Sequence, residues 1–271
     1  GTIKLDGNYP NGSNNVALGN GALDGSLSGT GLNVAIGDSA MTKNTSGAEN
    51  TAVGRLAMGC NTTGSYNVAF GTNTMQKNTE GEENSAFGMQ AMNNNTTGDG
   101  NSAVGTAALN ANISGSSNTA VGKRSLKTNT TASNNTAVGF DSLCANTTGG
   151  SNVALGFESL KTNTTASNNT AVGLCSMALN TTGNLNTAVG QTSLKANTEG
   201  SCNTTMGGLA MNANTTGGCN TGVGAYALKS NTTASNNTAL GYKALCTNTT
   251  GANNVGVGIN ALQTNQTGAS N

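Results

Sequence analysis

One spacing governs this chain: after a single 18-residue step, a Gly recurs every 17 residues from Gly37 onward, through Gly54, Gly71, Gly88, Gly105, Gly122, Gly139, Gly156, Gly173, Gly190, Gly207, Gly224 and Gly241 to Gly258. Gly19 opens the series. Four residues before each of these 15 glycines stands Asn, from Asn15 and Asn33 to Asn254, without exception. The residue before the Gly is apolar and large each time (Leu18, Ile36, Val53, Phe70, Phe87, Val104, and on to Val257). Four after the Gly comes Leu or Met (Leu23, Met41, Met58, Leu126, Leu262), and seven after it a second Asn in 14 of 15 repeats, Ser26 being the departure. Counting the first Asn as phase 1, the consensus reads N-T-A-Φ-G-x-x-A/S-L-x-x-N-T-T-G-x-x, with Φ at phase 4, Gly at 5, Leu or Met at 9 and the second Asn at 12.

A unit this short cannot hold a helix pair, but it matches one turn of a β-solenoid in which each coil stacks on the last. The expected fold is therefore all-β, a β-solenoid or β-roll of about fifteen 17-residue coils. Strand-forming residues fall at phases 2 to 4, where alternation sends Thr, Val or Ser of phase 2 and Φ of phase 4 to one face and Ala of phase 3 to the other, expected to be the outward one. Gly accepts positive φ and Asn tolerates it better than most residues, so the Asn and Gly positions are the expected corners. Identical residues then stack as ladders, in which Asn side chains can hydrogen-bond along the axis. At about 4.8 Å per coil the stack would be a thin rod on the order of 70 Å long.

That periodicity overturns what composition alone suggests. A chain of 271 residues with 40 Gly, four Phe, four Tyr and no Trp would ordinarily lack the apolar area to offset chain entropy. Net charge is zero and only 8% of residues are charged, with no basic run, which points away from nucleic acid and acidic membrane surfaces. No apolar stretch approaches the roughly 18 residues of a membrane-spanning helix, so no membrane insertion is expected.

The repeated Asn, Gly, Φ and Leu/Met columns read as the residues that maintain the coil. Variation concentrates in the pairs after the Gly (Lys123 and Arg124, Phe140 and Asp141, Phe157 and Glu158, Tyr242 and Lys243), before the second Asn and after N-T-T-G. With no His, the familiar Ser and Cys triads are excluded, and no carboxylate pair recurs at a useful spacing, so no enzyme is expected and no catalytic, cofactor-binding or metal site is assigned. Glu80, Glu82 and Glu83 read as a solvated corner. Asp does not repeat at the turns as it would in a calcium-binding solenoid, and no phosphate-binding G-x-x-x-x-G-K-[ST] occurs.

Six Cys (Cys60, Cys144, Cys175, Cys202, Cys219, Cys246) fall at scattered phases without a C-x-x-C. Cys202 and Cys219 alone share a phase on adjacent coils, which admits either a disulfide or a pair of reduced fillers. Sequons at the second Asn (Asn61, Asn95, Asn129, Asn146, Asn231) read as turn composition, or as glycan acceptors in a eukaryotic secretory pathway. Thr rows could order water, but the recurring element is N-T-T at a corner rather than T-x-T along a strand. The Ala column of phase 3 (Ala35, Ala52, Ala69, Ala86, Ala103, Ala120, Ala137, Ala154, Ala171, Ala188) is small, apolar and continuous. As an outward stripe it would suit close packing of a parallel homotrimer.

With its N-x-A-[VI]-G strand-turn and the following A/S-L step, the repeat resembles the head domains of trimeric autotransporter adhesins. It is more similar still to N-T-A-V-G…L…N-T-T-G arrays in phage tail-fibre and bacterial surface proteins that end in a self-cleaving chaperone domain. The likeness covers residues 15 to 271, although the period of 17 exceeds that typical of adhesin heads. It implies a trimeric β-roll that attaches to cells or matrix through surface loops.

The expected organisation is a lead-in or cap over 1–14 and a repeat domain over 15–271. Asn271 opens a sixteenth repeat, so the chain is expected to continue or to be covered there by a partner. These features together suggest a virion fibre shaft, of phage tail or surface type, that presents a receptor-binding element. The competing expectations are a bacterial cell-surface adhesin that binds matrix or glycan directly, and a self-assembling extracellular filament.

Overall fold

A computed structural model describes residues 14–25 and 31–271. Residues 1–13, which make up most of the expected lead-in, and Ser26 lie outside the described residues. The fold is an all-β parallel solenoid of about 14 turns, with no helix among the described residues. It divides into two compact units, one ending at Asn134 and the other running from Asn135 to Asn271. The first unit holds seven strands, from Val16–Leu18 to Thr119–Val121, and the second holds eight, from Thr136–Val138 to Val255–Val257. Each strand is three residues long, occupying phases 2 to 4 of its repeat.

Within each unit the strands pair in parallel and in sequence order, Ala on Ala and Φ on Φ. In the first unit Ala52 opposes Ala69 and Val53 opposes Phe70; in the second Ala154 opposes Ala171 and Leu155 opposes Val172. A strict repeat dictates this register, because a one-residue slip would flip every side chain to the other face. Hydrogen bonds run alternately to the coil ahead and the coil behind. The Thr51 N–H donates to the Asn67 carbonyl at 2.8 Å, and the Gly54 N–H to the Ile36 carbonyl at 2.7 Å. Bonds of the same kind continue around the corners, so backbone groups away from the strands are satisfied between coils as well.

The faces of the strand are the reverse of the expected ones. Ala at phase 3 is fully buried throughout, at Ala35, Ala52, Ala69, Ala86, Ala103, Ala120, Ala137, Ala154, Ala171 and Ala188, whereas phases 2 and 4 face out. The Ala column therefore cannot be a packing stripe for a second chain. Its size is set by the opposite wall: a Cβ placed on Gly222, which stands where the other strands have Ala, would lie 3.3 Å from Cγ of Met211. At Gly256 the same atom would lie 3.2 Å from Cγ of Leu245. Phase 3 thus abuts the Leu/Met column of the preceding coil, and the space left admits little more than a methyl group. Thr205 is the larger exception, and its hydroxyl lies 2.7 Å from that of buried Ser193.

The two Asn columns also lie inside, at 0% to 1% exposure from Asn33 to Asn254. Each phase-12 amide reaches along the axis and across its own coil. Asn61 Nδ2 donates to Asn44 Oδ1 at 2.9 Å and to the Gly64 carbonyl at 2.9 Å. Asn50 of phase 1 donates from its own Nδ2 to that same carbonyl at 2.9 Å, while its Oδ1 accepts the backbone N–H of Asn67 at 3.0 Å. One phase-15 carbonyl therefore ties both Asn ladders together in every such coil.

Positive φ falls elsewhere than at these Asn. Besides Gly of phase 5, it recurs at phases 7, 9 and 17, as at Arg124 (61°), Leu126 (49°) and Ser117 (57°). The buried Leu/Met column is itself left-handed. The ladder Asn were chosen for their side-chain amides, not for their tolerance of that conformation.

Candidate functional site

The outward face of the strand column is the candidate functional surface. Phases 2 and 4 of all 15 strands carry only Val, Ile, Leu, Phe, Met, Thr or Ser, with no charged side chain. In the second unit phase 6 continues the strip without charge, as Phe140, Phe157, Leu174, Gln191, Gly208, Ala225, Tyr242 and Ile259. Met206 is 53% exposed and Leu240 48%. In the first unit Phe70 and Phe87 stack along the column, with ring centroids 5.4 Å apart and planes within 6°. Phe140 and Phe157, at phase 6 beyond the corner Gly, stack in the second unit at 5.4 Å and 12°.

Elsewhere the outward positions are mostly polar, with single apolar residues such as Tyr66, Ile113, Leu179 and Leu185 among them. Thr of phase 13 turns its hydroxyl back to the backbone, as Thr62 Oγ1 does to the Thr79 carbonyl at 2.9 Å, so that row is committed to the coil. Glu80, Glu82 and Glu83 are exposed at one corner of the first unit, as expected of a solvated turn. Glu158 and Lys161 pair at 2.8 Å in the second unit. That hydrogen bond to Glu158 holds the Lys161 ammonium above the ordinary lysine value. Lys229 lies over the Tyr226 ring at 5.4 Å and Lys243 over the Tyr242 ring at 5.2 Å. Among the described residues, no three Cys, Asp or Glu side chains gather in a metal-binding group, and no helix is long and apolar enough to cross a membrane.

The sequons of phase 12 are closed to glycosylation. Asn61, Asn95, Asn129, Asn146 and Asn231 are fully buried, and the amide nitrogen that would carry a sugar is already a donor: to the Gly98 carbonyl at 2.9 Å from Asn95, and to the Ala234 carbonyl at 3.0 Å from Asn231. Exposed sequons occur instead at phase 17, where Asn134, Asn168 and Asn236 each precede Asn and Thr. Their signal in the sequence is the N-N-T that spans the junction of two repeats. Cys202 and Cys219 are exposed, also at phase 17, with free thiols.

No protein-family model matches the chain. No curated protein matches it either.

Proposed function

We propose that this chain is a non-enzymatic segment of a structural fibre in which three parallel copies pack through the outward faces of their strands. The fibre would serve at a virion or other extracellular surface, holding a receptor-binding element away from its base. One observation carries the reading: a charge-free face with an apolar residue at phase 4 of every strand runs along both units. A column of this kind left in water would invite non-specific association, whereas self-complementary packing of identical copies covers it at every coil. The copy number of three and the virion setting rest on the resemblance of the repeat to adhesin heads and tail-fibre arrays.

Light scattering together with small-angle X-ray scattering on the purified chain tests this directly. A mass of three chains is the expected result, and a monodisperse monomer would overturn the assembly. Saturable binding of such a monomer to cells or glycans would point instead to an adhesin acting through its variable corners.

A further inference from the structure

Cys202 and Cys219 differ from the other four cysteines in having each other. They occupy phase 17 on successive coils of the second unit, both are exposed, and both thiols are free. Their backbones repeat the same conformation, with φ of 60° and 56°. They are held in step by equivalent hydrogen bonds: Cys202 N–H donates to the Asn184 carbonyl and Cys219 N–H to the Ser201 carbonyl, each at 3.0 Å. Equivalent Cα atoms on successive parallel strands lie about 4.8 Å apart, inside the range of roughly 4.4–6.8 Å that a disulfide accepts. Sharing φ and phase, the two Cα–Cβ bonds run side by side and leave the Cβ atoms about 4.8 Å apart, so closing to the roughly 3.5–4.5 Å of a disulfide draws the two bends together by up to about 1 Å.

No other cysteine has this arrangement. Cys60 at phase 11 stands between Lys43 and Lys77, Cys175 at phase 7 between Glu158 and Thr192, and Cys246 at phase 10 between Lys229 and Gln263. Cys144, also at phase 10, is followed one coil on by Lys161.

We infer that Cys202 and Cys219 are a paired-thiol site that a low-molecular-weight disulfide oxidises to a cystine joining two successive coils. One thiolate attacks a sulfur of the small disulfide, forming a mixed disulfide and releasing one small thiol. The second thiolate then attacks the protein sulfur of that mixed disulfide and displaces the other small thiol. Two protein thiols are oxidised and one small disulfide is reduced, with both protons ending on the released thiols. The product closes a ring of 18 residues, one full coil from Cys202 to Cys219, and a reductant reopens it.

The test is incubation of the reduced full chain with oxidised glutathione, followed by thiol titration, intact mass and a non-reducing peptide digest. The expected result is a loss of two titratable thiols, a mass lower by two hydrogens, and one cross-linked peptide joining Cys202 to Cys219. Dithiothreitol should reverse all three changes. In Cys202→Ser, the partner Cys219 should instead hold a single glutathionyl group, with no internal cross-link, while Cys175→Ser should react as the parent does. Stable separate adducts on Cys202 and Cys219 in the parent chain, or disulfides linking one chain to another, would overturn the proposal.

Discussion

A ladder asparagine is held from three directions at once. Asn180 donates to Asn163 Oδ1 at 2.9 Å and to the Gly183 carbonyl at 3.0 Å, and it accepts from Asn197 Nδ2 at 2.8 Å. Truncation would leave buried partners unsatisfied in the coils on either side, so Asn180→Ala should lower unfolding stability by about 3 kcal/mol in denaturant titration. Asn180→Asp removes the donors but keeps the shape. Burial next to two carbonyl oxygens disfavours the charged carboxylate, which raises its folded-state pKa above the unfolded value. Stability of that variant should therefore recover as the pH falls through the raised value, where the protonated acid regains one donor. Lys161 carries the same sign on the surface, at higher pH. Its pKa is raised by the hydrogen bond to Glu158, so whatever this pair contributes is present below the ordinary lysine value and lost as the pH climbs through the raised one. With the lysine side chain 39% exposed, Glu158→Gln should shift stability at pH 7 by no more than about 0.5 kcal/mol. Left-handed positions have their own test. Leu185 sits at phase 17 with φ of 58° and 59% exposure, where Asn168 and Asn236 hold the same conformation on other coils. Leu185→Asn should raise stability by about 0.5–1 kcal/mol, since it relieves a strained backbone and uncovers nothing packed.

At the scale of one coil, the interior is a narrow slot that Leu or Met fills from one wall, leaving room only for Ala on the strand. Ala171→Val should therefore cost about 1–3 kcal/mol by overpacking against the preceding coil, even though Val is the better strand former. Calorimetry of that variant beside Ala171→Gly separates crowding from propensity: the larger loss should belong to Val. The same slot explains what was legible in the sequence. The period, the strand at phases 2 to 4 and the Leu/Met core column could all be read directly, because each rests on recurrence or on a run of strand-forming residues. Which face of T-A-V turns inward could not, since alternation fixes only that Thr and Val share a face. Ranking by hydrophobicity then chose the wrong one, because nothing in a single repeat gives the width of the coil. The left-handed corners were half visible. Asn and Gly mark turns in general, but here phases 7, 9 and 17 take positive φ whatever residue stands there, and the usable sign was the near absence of β-branched residues, Thr192 being the departure. The outward column was hidden for the same reason as the inward Ala: the two are one assignment, and reversing it moves the candidate interface from a row of methyl groups to a row of Val, Leu, Phe and Met.

For the assembled molecule, that reversal makes fold and association separable by mutation. Leu155, Met206 and Leu240 all lie on the outward column of the second unit at 38%, 53% and 48% exposure, so none of them is needed to fill the core of its own chain. Replacing all three with Lys puts like charges at one phase of the column, where in a packed assembly they would be desolvated and brought against their counterparts from the other copies. Substitutions at such exposed sites ordinarily change the stability of a single chain by about 0.5 kcal/mol or less. The expected outcome is a folded chain, unchanged in circular dichroism, whose mass by light scattering drops from three copies to one. A parallel variant with Ala171→Lys should lose the fold itself, because its charge would enter the slot beneath the strand. If the outward triple variant unfolds while remaining associated, or keeps its three-chain mass, the strand face is not what holds the copies together.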